Sequence, residues 1–74
     1  MRKEEIREQV IEIIEENGIV IEENDKFAEI DSLQLVSCIL MLEENFKIEF
    51  PDDFLGVENF LDVNSICYVI EELI

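Results

Sequence analysis

The stretch from Asp31 to Phe46 constrains this chain more than any other, because it carries two apolar stripes on one helical period. At about 100° per residue, Leu35, Cys38, Ile39, Leu42 and Phe46 fall on one face, a stripe wide enough to be a core face. Leu33, Val36 and Leu40 gather on a second face, bordered by Glu43 and Glu44. A helix on the surface of a small domain buries one face, so the second stripe is expected to be exposed. An apolar strip rimmed by one sign of charge reads as a docking surface. The alternative is a helix buried on both faces, but a chain of 74 residues has few elements to wrap it. Asp31 or Ser32 suits the N-cap, since a short side-chain oxygen accepts a hydrogen bond from a free N–H of the first turn.

The remaining segments read as helices joined by irregular chain. Residues 3 to 17 form a first helix with Ile6, Val10, Ile13 and Ile14 on one stripe and Ile11 beside it. Asn17-Gly18 is its stop, because glycine enters the left-handed conformation without a steric penalty. Residues 19 to 30 form a long connection. Ile19, Val20, Ile21, Phe27 and Ile30 read as anchors across the bundle rather than a strand, since alternation is poor and Asn24-Asp25 interrupts the run. The second helix spans roughly 32 to 45 and is closed by Phe46 and Ile48. Irregular chain follows at Phe50-Pro51, because the residue before proline avoids helix. Asp52-Asp53 suits the start of a short helix through Leu55, ended by Gly56, with Phe54 and Leu55 inward. Phe60 and Leu61 lead to a last helix capped by Asp62. Its core stripe is Val63, Ile66, Val69, Ile70 and Leu73, with Tyr68, Glu71 and Glu72 facing out. The predicted fold is therefore all-α: a small bundle of three main helices plus one short helix, with a long first loop, in a single domain over residues 1–74.

Charge narrows the partners. The chain has 20 acidic and 5 basic residues, a formal net charge of −15. From Phe27 onward there are 11 acids and one base, Lys47, so the acidity is concentrated around Ser32 and the apolar strip. Nucleic acid and anionic membrane are disfavoured, since both need a basic face, and basic protein surfaces are favoured. No apolar run reaches membrane-spanning length and no signal peptide is read at the charged N-terminus. Cys38 and Cys67 fall on apolar helix faces and read as buried free thiols, which fits a cytoplasmic, reducing setting.

Chemistry by the chain alone is disfavoured, and it reads as no enzyme. It has no histidine, so the commonest general base is missing, and no triad would activate a serine. Two isolated glycines make no phosphate loop, and no Cys/His spacing suggests zinc. Glu22, Glu23, Asp25, Glu29 and Asp31 lack the ligand alternation and central glycine of an EF-hand. No catalytic residue and no metal ligand is assigned.

One resemblance gathers these features. Asp31-Ser32-Leu33, Val36, Leu40, Leu42-Glu43-Glu44-x-Phe46 and Ile48-x-Phe50-Pro51 together resemble an acyl carrier protein, over most of the chain. The tripeptide alone is common by chance; the downstream run at the family's spacing makes the likeness specific. The resemblance implies that Ser32 bears a 4′-phosphopantetheine arm derived from coenzyme A, and that Asp31 assists its attachment. It implies that Leu33, Val36, Leu40, Glu43 and Glu44 meet partner enzymes. Those partners would be a phosphopantetheinyl transferase and acyl-loading or acyl-using enzymes of fatty-acid, polyketide or related synthesis, with basic docking surfaces, and the carrier would be a monomer. Two departures are visible. Phe27-Ala28-Glu29-Ile30-Asp31 is shorter than the family's segment and lacks its glycine, and Gln34 and Ser37 stand where the family often has acids. The thinner acidic rim points to partners other than those of the fatty-acid synthase carrier. A discrete peptidyl or D-alanyl carrier is an alternative within the class. An unmodified acidic interaction module, in which Ser32 is only a helix cap, is the alternative outside it.

Overall fold

The first helix forms where the apolar spacing predicts it. In a computed structural model that describes residues 2–51 and 62–74, α1 spans Lys3–Glu16 and buries Ile6, Val10, Ile13 and Ile14. Glu4 and Glu5 stand in its first turn, where the macrodipole favours acids; no basic residue offsets Glu15 and Glu16 in its last turn. The stop is at Asn17-Gly18. Gly18 takes φ +78°, and the Ile19 N–H reaches back to the Ile14 carbonyl at 3.3 Å. A Cβ at Gly18 would lie 3.5 Å from the Gln34 side chain, an ordinary contact, so backbone conformation rather than space calls for glycine there.

The long first loop is fixed at several points. Isolated antiparallel bridges pair Ile21 with Phe27 and Lys26 with Asp62, and no strand is present among the described residues. Ile19 is buried, while Ile21, Phe27 and Ile30 pack half-buried on the core. Val20 departs from its expected role as an anchor: it is 64% exposed. In extended chain, successive side chains point to opposite sides, so burying Ile19 turns Val20 outward. Asp25 holds φ +66°, with its carbonyl accepting the Val63 N–H at 2.9 Å. Arg7 closes this corner, donating to Asn64 Oδ1 at 2.7 Å and pairing with the Asp25 carboxylate.

The second helix, α2, spans Ser32–Phe46 and buries Cys38, Leu42 and Phe46. It ends at Lys47, which takes a left-handed φ of 56° as C-cap. The third helix, α3, spans Val63–Leu73 with Asp62 as N-cap, its Oδ1 accepting the Ser65 N–H at 2.7 Å. Val63, Ile66, Val69 and Ile70 are buried; Tyr68 faces out as predicted. The α1 stripe packs on both other helices, more extensively on α3. The described architecture is the expected all-α bundle of three main helices around one core. The predicted short helix from Asp52 to Leu55, its stop at Gly56 and the lead-in through Phe60 and Leu61 lie outside the described residues.

The cysteine reading holds for one thiol and needs correction for the other. Both are free, but only Cys38 is buried; Cys67 is half-buried at the edge of α3. Burial pushes the Cys38 thiol up from an ordinary 9.0 to about 11. Cys67 is also raised, first by burial, with nearby Arg7 opposing and the Glu71 and Asp25 carboxylates adding to the rise.

Candidate functional site

The start of α2 is built by its own sequence. Asp31 is the N-cap: its Oδ1 accepts the Gln34 N–H at 2.8 Å. Gln34 answers in kind, its Oε1 accepting the Asp31 N–H at 3.2 Å. This is a reciprocal capping box, which satisfies two backbone donors that a helix start otherwise leaves open. The sequence left the cap to either Asp31 or Ser32, and the structure assigns it to Asp31. Ser32 is then the first helical residue, exposed, and its hydroxyl makes no hydrogen bond among the described residues. A serine relieved of capping at a helix N-terminus is a free nucleophile-bearing side chain beside the positive end of a macrodipole.

The second stripe is where the period predicted it. Leu33 is 82% exposed, Val36 54% and Leu40 58%. They run outward along α2 from Ser32, one to eight positions further on. Beside them is an apolar groove of about 320 Å³ lined by Leu35, Val36, Ile39, Leu40, Glu43 and Phe50. Between Ser32 and Leu42 the helix carries no charged residue, so this surface is apolar at its centre, with Glu29 and Asp31 at one end and Glu43 and Glu44 at the other.

The two glutamates differ. Glu44 is exposed. Glu43 is half-buried, and its Oε2 accepts the Phe50 N–H at 2.8 Å, tying the end of α2 to the following chain. Sequence reasoning placed both on the rim and missed this second role, because the partner lies in irregular chain with no periodicity to read. It also missed that the Gln34 Nε2 donates to the Asn17 carbonyl at 3.2 Å, joining the start of α2 to the end of α1. Among the described residues no group of three or more His, Cys, Asp or Glu side chains is placed to hold a metal ion. No described helix is long and apolar enough to cross a membrane.

Comparison with known proteins points to one family. A family model for the phosphopantetheine attachment site matches residues 4–67, which span nearly all of α1, the loop, Ser32, α2 and the start of α3. The chain belongs to that family, the phosphopantetheine-binding carrier proteins, whose members act as carriers rather than catalysts. It is similar to the acyl carrier protein of Wolinella succinogenes, with 40% identity over 53 residues, covering 68% of this chain and 70% of that one. The acyl carrier protein of a Sulfurovum species is 38% identical over 53 residues, covering 68% of this chain and 71% of its own. No solved structure matches significantly.

Proposed function

We propose that Ser32 is the attachment point of 4′-phosphopantetheine and that the chain presents thioester-linked acyl groups to enzymes of fatty-acid, polyketide or related synthesis. The observation that carries this reading is the division of labour at the start of α2. Asp31 does the capping, and Ser32 stands exposed beside the strip of Leu33, Val36 and Leu40.

The chemistry follows from that placement. Ser32 Oγ attacks the phosphorus bearing the pantetheine arm of coenzyme A. The pyrophosphate bond to the adenosine half breaks, and a separate transferase takes the hydroxyl proton and supplies the metal. Asp31 assists from the same turn; Oδ1 is held by Gln34, and Oδ2 has no partner among the described residues. The residues present suit a phosphodiester, since the first N–H groups of a helix and its dipole favour an anion. The arm, once attached, supplies a thiol that holds cargo as a thioester. The chain's own residues anchor, orient and present it. Leu33, Val36 and Leu40 offer apolar contact, and Glu29, Glu43 and Glu44 complement a basic partner surface. The reading places the carrier as a monomer in a reducing, cytoplasmic setting.

The test is intact-protein mass spectrometry after incubation with coenzyme A, magnesium and a broad-specificity phosphopantetheinyl transferase. The parent should gain one phosphopantetheine, and Ser32→Ala should gain none. A folded parent that gains nothing would favour an unmodified acidic interaction module instead.

A further inference from the structure

We infer that Gln34 is a positioning residue for the modification of Ser32, clamping the turn that carries the serine to the end of α1; this rests on the reading of Ser32 given above. Beyond the backbone ladder of α2, Gln34 makes three hydrogen bonds. Two are local to the turn: its N–H to Asp31 Oδ1 at 2.8 Å and its Oε1 from the Asp31 N–H at 3.2 Å. The third leaves the turn and crosses 17 positions of sequence, from Nε2 to the Asn17 carbonyl at 3.2 Å.

Its far end is held firmly. The Asn17 carbonyl is among those that a helix C-terminus leaves without an intrahelical partner. The Asn17 side chain in turn donates to the Ile13 carbonyl at 2.8 Å and approaches the Met41 sulfur at 3.3 Å. Gly18 reverses the chain directly beside Gln34, so that the side chain lies against the turn it fastens. Ser32 sits between Asp31 and Gln34 and is restrained by both bonds of the box and by the clamp. Only a carboxamide does both jobs at once, accepting through oxygen within the box while donating through nitrogen to Asn17.

The consequence falls on recognition rather than on the reacting atoms. Gly18, Val20, Ala28, Glu29, Asp31 and Gln34 line one shallow hollow next to the serine. An enzyme that reaches Ser32 also meets this loop, including the exposed Val20. Ser32 and the strip of α2 share one helix and keep their mutual geometry without Gln34. The relation of that helix to the loop and to α1 does depend on it. Loosening it adds an ordering cost to each encounter, which appears in KM.

Gln34→Glu separates the roles, because it keeps the box acceptor, loses the donor to Asn17 and sets a carboxylate against a carbonyl. The expected result is a five- to tenfold lower kcat/KM for phosphopantetheine transfer, at roughly the worth of one hydrogen bond, carried by KM with kcat near the parent's. Circular dichroism should show the parent's helix content. The added negative charge by itself favours a basic enzyme, so transfer is measured at high salt, where that attraction is screened and a match to the parent is not a gain in charge offsetting the lost bond. Gln34→Met, neutral and of similar length, loses both bonds and should fall at least as far. If Gln34 serves only as a cap, Gln34→Glu matches the parent to within about twofold while Gln34→Met alone declines, and the inference is overturned. A loss confined to kcat overturns it as well. An unmodified parent removes the reading of Ser32 and this inference with it, and that outcome is recognised by the absence of any mass gain before a variant is measured.

Discussion

The two faces of α2 are built from the same kinds of residue and meet opposite fates. Cys38, Leu42 and Phe46 are buried in the common core, whereas Leu33, Val36 and Leu40, interleaved with them in sequence, stand in solvent. Three large aliphatic side chains left exposed on one short helix contribute little to folding, because they stay wet in the native state as in the unfolded chain. The difference separates two faces of one element: one holds the bundle together, and the other is the face that the proposed function assigns to partner enzymes.

The largest expected effect breaks the first face. Leu42 is fully buried, and Leu42→Ala should cost about 2–5 kcal/mol, read as a lower midpoint in urea with an unchanged slope. In a bundle of this size that is a large part of the whole stability. If Leu42→Ala and Leu40→Ala lose similar amounts, the division between the faces is wrong.

Cys38 tests the buried face from another side, through pH. Its thiol is held neutral by burial, with its value raised from 9.0 to about 11. The folded protein therefore keeps a proton that the unfolded chain gives up in that window. The contribution is fully present below about pH 9 and is lost as pH rises towards about 11. Stability measured across that range should fall for the parent and fall less for Cys38→Ala, compared as slopes rather than absolute values. Native alkylation near pH 8 should label the half-buried Cys67 first and Cys38 only on unfolding. Equal rates for the two thiols would contradict the burial difference.

The outward face should show the reverse pattern. Leu40→Asp leaves the core untouched, so stability should change by no more than about 0.5 kcal/mol. Transfer of phosphopantetheine to Ser32, measured as kcat/KM, should fall about tenfold, the effect of losing one apolar anchor of a docking surface. A stable variant with parental kinetics would mean that this face is not where the transferase docks.

Much of this was legible in the sequence because it is periodic. The α1 stripe, both stripes of α2, the stop at Gly18 and the cap at Asp62 each follow from local spacing or from one residue's conformational freedom. Contacts between distant segments were not legible. Arg7 reaches Asp25 and Asn64, Gln34 reaches Asn17, and Glu43 reaches the Phe50 N–H. These depend on how the helices dock, which no single window records. Val20 failed for a related reason. Its hydrophobicity suggested an anchor, but the direction of its side chain is set by which neighbour is buried, and Ile19 takes that place. For the start of α2 the spacing left the cap to Asp31 or Ser32, and the structure gives it to Asp31.

The smallest effect divides the acidic rim as the apolar residues are divided. Glu43 and Glu44 are adjacent, yet only Glu43 is tied into the fold, through the Phe50 N–H. Removing that charge-assisted bond in Glu43→Ala should cost about 1 kcal/mol, read in the urea midpoint, since a partly buried acceptor is lost. Glu44 is exposed, and Glu44→Ala should leave stability within about 0.5 kcal/mol of the parent. In transfer kinetics the order should invert at low salt. Glu44→Ala should weaken docking to a basic enzyme modestly, and the deficit should shrink as salt screens the attraction. If both variants lose stability equally and neither responds to salt, the rim carries no division of its own, and the separation of roles on α2 is confined to its apolar side chains.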